Sequence, residues 1–351
     1  MKVLFAAGGS AGHVDPALAT ARQLDAEILF AGNQSGIESK LVQRANFKFE
    51  HIPKLAFPRS FSLSNFLWPI KALSVLVRAI RISSKVDAIV GFGGYVSAYF
   101  YLAGFLLRKP VIAHEANALP GISTKLARKL GADIYTLYPL GFGEQSALPV
   151  MGDFINTKIG VTEVTNRFGL DHSRPTILVL GGSLGAVRLN RAIIDLIKDN
   201  SFSNWNVLHS IGSHGFGEIE NPPSSTNNYH WISYIEDMSK VLPAVDLVIT
   251  RAGAGMCVQC TLSEVPVIFV PLPVGNGEQG KNADPIVRAG AALMVQDDSN
   301  LNQNLRRALN EIDLVAMKNS FNNVPDFLKK SDGAVHLAKI IRDKLGANEG
   351  I

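Results

Sequence analysis

The sequence predicts an α/β protein built from two doubly wound parallel-sheet units, and three features carry that expectation. Short runs rich in β-branched and aromatic residues alternate with helix-length segments along the chain. The runs are almost continuously apolar, as strands covered on both faces are. A glycine-rich turn, FAAGGSAGHVDPALA at residues 5–19, returns as LVLGGSLGAVRLNRA at residues 178–192. Length agrees: 351 residues with 47% hydrophobic content can bury more than one core.

In the first half KVLFAA, AEILFAG, FKFEHI, DAIVGF, PVIAHE and ADIYTL read as strands; in the second, TILVLGG, NWNVLHSIG, NYHWISY, VDLVITR, VPVIFVP and AALMVQ. Gly8 and Gly181 each end the first clear strand of their half. Equivalent turns at the same topological place predict two Rossmann-like domains facing a cleft, with a boundary in VMGDFINTKIGVTEV. Residues 88–107 carry no charge and are long enough to span a bilayer. Gly91, Gly93 and Gly94 break that stretch, so it reads as a buried strand, a turn and a helix.

Composition excludes several classes. Lys and Arg exceed Asp and Glu by 34 to 30, so nucleic acid is not an expected partner. Two cysteines give no disulfide framework, and MKVLFAAGG breaks too soon to be a secretory leader, which points to the cytoplasm. From His51 to Val86 no acidic residue occurs, while Lys54, Arg59, Lys71, Arg78, Arg81 and Lys85 interleave with Leu55, Phe57, Phe61, Leu63, Phe66, Leu67 and Trp68. Apolar side chains beside cations suit shallow insertion among anionic headgroups. The competing reading is an amphipathic helix near residues 69–85 that packs on a core with a solvated basic face.

Glycine-rich turns ahead of helices aim backbone N–H groups at an anion, so a phosphate is the natural guest. The second strand ends in Ala31, Gly32 and Asn33, without the acid a nicotinamide ribose requires, and neither turn ends in the Lys-Ser/Thr of a P-loop. No Asp-x-Asp occurs to bridge a metal to a diphosphate. These exclusions leave a nucleotide diphosphate neutralised by backbone dipoles, with no cofactor and no metal expected. Moving a group from it needs a base, and His13 is the first candidate; hydrogen bonding to its own loop is the alternative. HEAN at residues 114–117 follows an apolar strand, so His114, Glu115 and Asn117 sit at a carboxyl end beside Tyr95, with Glu115 as a second candidate base.

GGSAGHVDPALA, GFGGYVS, HEANALPGISTKLARK, GGSLGAVRLN, YIEDM, RAGAG with Pro266 downstream, and PVGNGEQGKNA occur in the order and spacing of a known family. The chain resembles the MurG family of UDP-N-acetylglucosamine transferases to about residue 345, with a GNGEQ segment similar to its actinobacterial members. The resemblance implies a GT-B fold and inverting transfer to the C4 hydroxyl of a muramyl sugar on undecaprenyl pyrophosphate, a step of peptidoglycan synthesis. It implies residues 1–155 as the acceptor domain, 156–332 as the UDP-sugar domain and 333–351 as a helix packing back on the first. It also implies peripheral attachment to the inner leaflet of the cytoplasmic membrane through Phe61, Phe66, Leu67, Trp68, Lys71 and Arg78, with cell-wall synthesis proteins as candidate partners.

By the same resemblance the acceptor meets Tyr95, His114 and Asn117. The donor meets Ser10, Ala11, Gly12, Asn156, Ser183, Ile235, Met238, Gln259, Glu278, Gln279 and Asn282. Three positions depart from the family pattern: Met256 stands for a Thr, Gln259 for a ribose-binding Glu, and Asn156 for an interdomain Arg. Neutral groups bind more weakly than charged ones. The departures therefore leave open a non-catalytic envelope scaffold, or a transferase for another glycolipid. Cys257 and Cys260, at a helix start, admit a redox pair against the alternative of two small buried residues.

Overall fold

Continuously apolar strands in both halves of the chain build two all-parallel sheets. A computed structural model describes residues 1–55, 68–152, 154–155, 160–182, 185–212, 224, 226, 228–235, 237–273 and 276–346. The sequence-predicted positions Phe61, Phe66, Leu67, Asn156 and Ser183 lie outside them. The chain divides into Met1–Met151 with Ser331–Ile351, and Gly152–Lys330.

The first unit contains β1 (Lys2–Ala6), α1 (Ala11–Ala21), β2 (Glu27–Gly32), α2 (Ile37–Arg44), β3 (Lys48–His51), α3 (Trp68–Ser83) and β4 (Ala88–Gly91). It continues with α4 (Gly94–Leu106), β5 (Val111–Glu115), α5 (Ile122–Lys129), β6 (Asp133–Thr136) and β7 (Glu144–Gln145). The sheet order is β3-β2-β1-β4-β5-β6-β7. In β1, Val3 and Phe5 face a core with Val14, Ala17, Leu18 and Ala21 of α1. Leu4 and Ala6 face the opposite core with Val96, Tyr99, Phe100 and Ala103 of α4. Alternate residues of one apolar strand thus serve two layers. The uncharged stretch 88–107 is β4, a glycine turn and α4, and no described helix is long and apolar enough to cross a membrane.

The second unit contains α6 (Val161–Phe168), β8 (Thr176–Leu180), α7 (Val187–Lys198), β9 (Asn206–Ser210), β10 (Tyr229–Ile232), α8 (Met238–Val241), β11 (Leu247–Thr250) and α9 (Ala254–Leu262). Then come β12 (Val267–Phe269), α10 (Glu278–Ala289), β13 (Ala292–Met294), α11 (Leu301–Glu311) and α12 (Leu314–Asn319). Its sheet order, β10-β9-β8-β11-β12-β13, repeats that of the first unit without the β7 edge strand. The final helix, α13 (Gly333–Gly346), belongs to the first unit, where Leu337, Ala338, Ile341 and Leu345 join the core under α1. Lys344 pairs with Asp133 at 2.9 Å, and Arg342 Nη1 donates to Gln23 O at 3.3 Å.

Candidate functional site

The order of the first sheet fixes where chemistry can be placed. β1 and β4 are neighbours, yet their following helices lie on opposite faces of the sheet, so the chain opens a crevice at their carboxyl ends. Two turns meet there. Gly94 has φ of +77°, and a Cβ on it would fall 2.5 Å from Gly8 O. A Cβ on Gly8 would fall 2.8 Å from Glu38 Oε1 and 2.9 Å from Val96 Cγ2. Side chains at either place would push the turns apart.

His13 occupies the seam. It lies in the first turn of α1 rather than on the loop before it, and it is half-buried. Its Nδ1 is 3.0 Å from Gly8 O and 3.4 Å from Ser10 Oγ. A carbonyl only accepts, so Nδ1 carries a proton, and in the neutral ring Nε2 holds the lone pair. Nε2 faces Gly93, where a Cβ would stand 3.2 Å away. The loop hydrogen bond and a basic nitrogen therefore coexist in one ring.

Glu38 was not among the residues that sequence reasoning selected. It lies in the first turn of α2, is 1% exposed, and accepts from Asn33 N at 3.0 Å and Gly9 N at 3.3 Å. The acid missing from the end of β2 is thus supplied a few residues later, by a helix that turns back over the strand. Tyr95, half-buried in the first turn of α4, has its phenol pKa raised by burial and secondarily by the charge of Glu38. That keeps Tyr95 a hydrogen-bond donor.

The HEAN residues separate into different roles. Glu115 is buried and accepts from Asn117 N at 3.0 Å, Asn117 Nδ2 at 3.1 Å, Gly121 N at 3.0 Å and Thr124 Oγ1 at 2.6 Å. Four donors fill a carboxylate's lone-pair positions. Glu115 holds the loop between β5 and α5, and this corrects its expected role as a base; Asn117, half-buried, is part of that loop's bonding. His114 is buried, with its ring 5.8 Å from that of Phe92. Desolvation lowers its pKa to about 4, against smaller opposing effects from Glu115 and the Ala147 backbone. Neither ring nitrogen makes a well-aligned hydrogen bond among the described residues, so the approach to Ala147 is a weak one. The ring has almost no exposed surface.

In the second unit the turn after β8 retains Gly181, Gly182 and Gly185. At the end of β11, Arg251 Nη2 pairs with Asp297 Oδ2 at 2.7 Å, and its Nη1 donates to Val270 O at 3.0 Å. Asn282 has no exposed surface and donates from Nδ2 to Ala252 O at 3.2 Å. It ties α10 to the turn before α9. Gln279 Oε1 accepts from Leu272 N at 3.0 Å, while Glu278, Gln259, Met256 and Met238 are half-buried and Ile235 is buried. Cys257 and Cys260 are buried and in no disulfide, and burial pushes the Cys260 thiol well up. Burial outweighs the helix N-terminus, so the redox reading gives way to two small core residues.

Residues 3–136 match the glycosyltransferase family 28 N-terminal domain, and residues 176–336 match the family's C-terminal domain. The UDP-N-acetylglucosamine--N-acetylmuramyl-(pentapeptide) pyrophosphoryl-undecaprenol N-acetylglucosamine transferase of Thermobifida fusca is 35% identical over 84% of this chain and 81% of its own. The enzyme of the same name from Clavibacter michiganensis is 34% identical over 98% and 96%. A crystal structure of Acinetobacter baumannii MurG superposes over 97% of this chain and 99% of its own, with a TM-score of 0.70 at 26% identity. The chain belongs to the MurG family.

Its fold is that family's GT-B architecture, which it also shares with the spinosyn rhamnosyltransferase SpnG at a TM-score of 0.67 and 14% identity, a likeness of fold alone. His13 packs against Gly93 and Gly94, the two residues before Tyr95. Glu38 completes that cluster, and the signal for it was a lone acid opening the helix after β2.

The buried His114 ring has a consequence for stability. The unfolded chain takes up a proton as pH falls through 6.5, and the folded chain refuses it until about 4. This contribution is present above pH 6.5 and drains away below it. His114→Phe removes the titrating group, so the difference in urea midpoint between variant and parent changes across that window and is constant above it. A difference that stays constant throughout contradicts a neutral buried ring.

Proposed function

We propose that this chain transfers N-acetylglucosamine from UDP-N-acetylglucosamine to the C4 hydroxyl of the muramyl sugar on an undecaprenyl-pyrophosphoryl acceptor, with inversion at the sugar. Membership of the MurG family supports the substrates, since its relatives are named for this transfer. The observation that carries the chemistry is His13, whose Nδ1 is committed to Gly8 O. Its Nε2 takes the hydroxyl proton as the acceptor oxygen bonds to the anomeric carbon; the bond from that carbon to the diphosphate breaks, and the electron pair leaves with UDP. N–H groups of Ser10, Ala11 and Gly12 at the start of α1 receive negative charge on the leaving side. Tyr95 donates to the acceptor. Gln259, Glu278, Gln279, Ile235 and Met238, together with Asn156 and Ser183, hold the donor. No resident metal takes part.

The lipid acceptor calls for attachment at a membrane surface, and α3 supports one. Ile70, Leu73 and Val77 repeat at helical spacing and are 68%, 61% and 39% exposed. Lys71, Arg78 and Arg81 are exposed on the same helix, whose opposite face buries Val75, Ala79 and Ile82. Phe105 and Leu106, at the end of the adjoining α4, are exposed too. Apolar side chains flanked by cations fit the anionic inner leaflet of the cytoplasmic membrane, to which the chain is bound peripherally. This reading moves the centre of the expected patch from Phe61, Phe66 and Leu67 onto α3 itself.

Two measurements check these readings. His13→Ala lowers kcat for transfer to a lipid-linked acceptor analogue by roughly 100-fold or more while UDP affinity is unchanged; parental turnover removes the base assignment. The triple change Ile70→Ser, Leu73→Ser, Val77→Ser releases the protein from anionic liposomes in a flotation assay, and equal flotation of variant and parent removes the membrane face.

A further inference from the structure

The peptide between Gly8 and Gly9 is gripped at both ends. Its carbonyl accepts from His13 Nδ1 at 3.0 Å, and its N–H donates to Glu38 Oε2 at 3.3 Å. One planar amide therefore stands between a buried carboxylate and an imidazole. Hydrogen bonds in such a chain polarise one another: an anion drawing on the N–H places more negative charge on the carbonyl oxygen, which then holds the imidazole N–H more firmly.

Glu38 is an expensive residue to bury. It is 1% exposed and has no ion-pair partner among the described residues, so its charge is met by backbone N–H groups alone. Glycines make the space: a Cβ would fall 2.8 Å from its Oε1 at Gly8 and 2.6 Å from its Cγ at Gly32, and Gly36 is tighter still. A side chain that only filled this volume would need no charge.

We propose that Glu38 is a positioning residue for His13, acting through the Gly8–Gly9 peptide to keep the ring proton on Nδ1 and to make Nε2 a stronger base. The inference rests on His13 being the base of the transfer, and it gives that base the orienting carboxylate that an imidazole usually takes directly. Here the carboxylate is one amide removed, which spares the crevice a second charged side chain. The other titratable groups on the helices meeting at this peptide are Asp15 on α1, Lys40 and Arg44 on α2, and Tyr95, Tyr99 and Tyr101 on α4; the two cations are exposed. Burial pushes Asp15 up to about 6, so the ring is followed through its own resonances.

The test is nitrogen-15 NMR of the histidine ring in the unliganded full-length protein, with steady-state kinetics beside it. In the parent the Nδ1–H tautomer predominates. In Glu38→Gln, which keeps shape and removes charge, the share of that tautomer falls, the ring's pKa drops by about half a unit or more, and kcat falls about tenfold with KM for the UDP-sugar nearly unchanged. A folded Glu38→Gln protein with the parental tautomer and pKa overturns the proposal. If that variant does not fold, the parent still decides: the Gly9 amide proton must shift as His13 is protonated, and must cease to do so in His13→Ala. A Gly9 signal indifferent to His13 overturns the relay. Retained transfer in His13→Ala, with the Gly9 shift present in the parent and absent in the variant, would instead leave the relay standing and remove only the catalytic reading.

Discussion

The contact between two backbone turns governs the first unit. β1 and β4 lie side by side, and the turns that leave them approach so closely that a Cβ on Gly94 would stand 2.5 Å from Gly8 O. Absence of side chains brings two peptide segments together, and their polar groups then need partners. His13 and Glu38 are those partners. The polar centre is thus a consequence of sheet order, since only at the switch point do successive helices part to opposite faces and leave the strand ends uncovered.

The second unit repeats the topology and uses it differently. Its buried polar side chains are largely absorbed into the scaffold: Arg251 binds Asp297 and the backbone after β12, and Asn282 binds Ala252 O. His209, pushed down to about 3 by burial, is bracketed by Asn190 Oδ1 at 3.1 Å and Tyr229 OH at 3.2 Å. Groups so engaged lend rigidity to the strand ends. Gln259, Glu278, Gln279, Met238 and Met256 are half-buried and keep some surface. Met256 and Gln259, where the family pattern has Thr and Glu, make that surface less polar.

Strands were legible because buried parallel strands are apolar on both faces, a pattern that survives without any alignment. β7 escaped because Glu144 and Gln145 are exposed and make too short a run to signal anything. Site residues were legible only to the level of the loop. The segment HEAN places four residues at a strand end but does not say which way each side chain points. His114 turns toward Phe92 and Glu115 toward its own loop, while Asn282 turns inward from a helix start. Glu38 was missed for the converse reason: its partners are backbone N–H groups, of Asn33 nearby and Gly9 on another turn, which no side-chain pattern announces, and an acid opening a helix reads locally as favourable charge for the helix dipole. The cysteines show a contest that only packing decides, between a helix terminus and a dry interior.

If the glycine contact seats the reacting histidine, then Gly94→Ala is the most direct probe, because its Cβ would press on Gly8 O at 2.5 Å and approach His13 Nδ1 at 3.3 Å while leaving both His13 and Glu38 in the chain. The account predicts a folded protein that binds UDP as the parent does, with kcat for sugar transfer lowered about 100-fold and the His13 ring displaced from Gly8 O in its crystal structure. Parental turnover with the added methyl in place would contradict it.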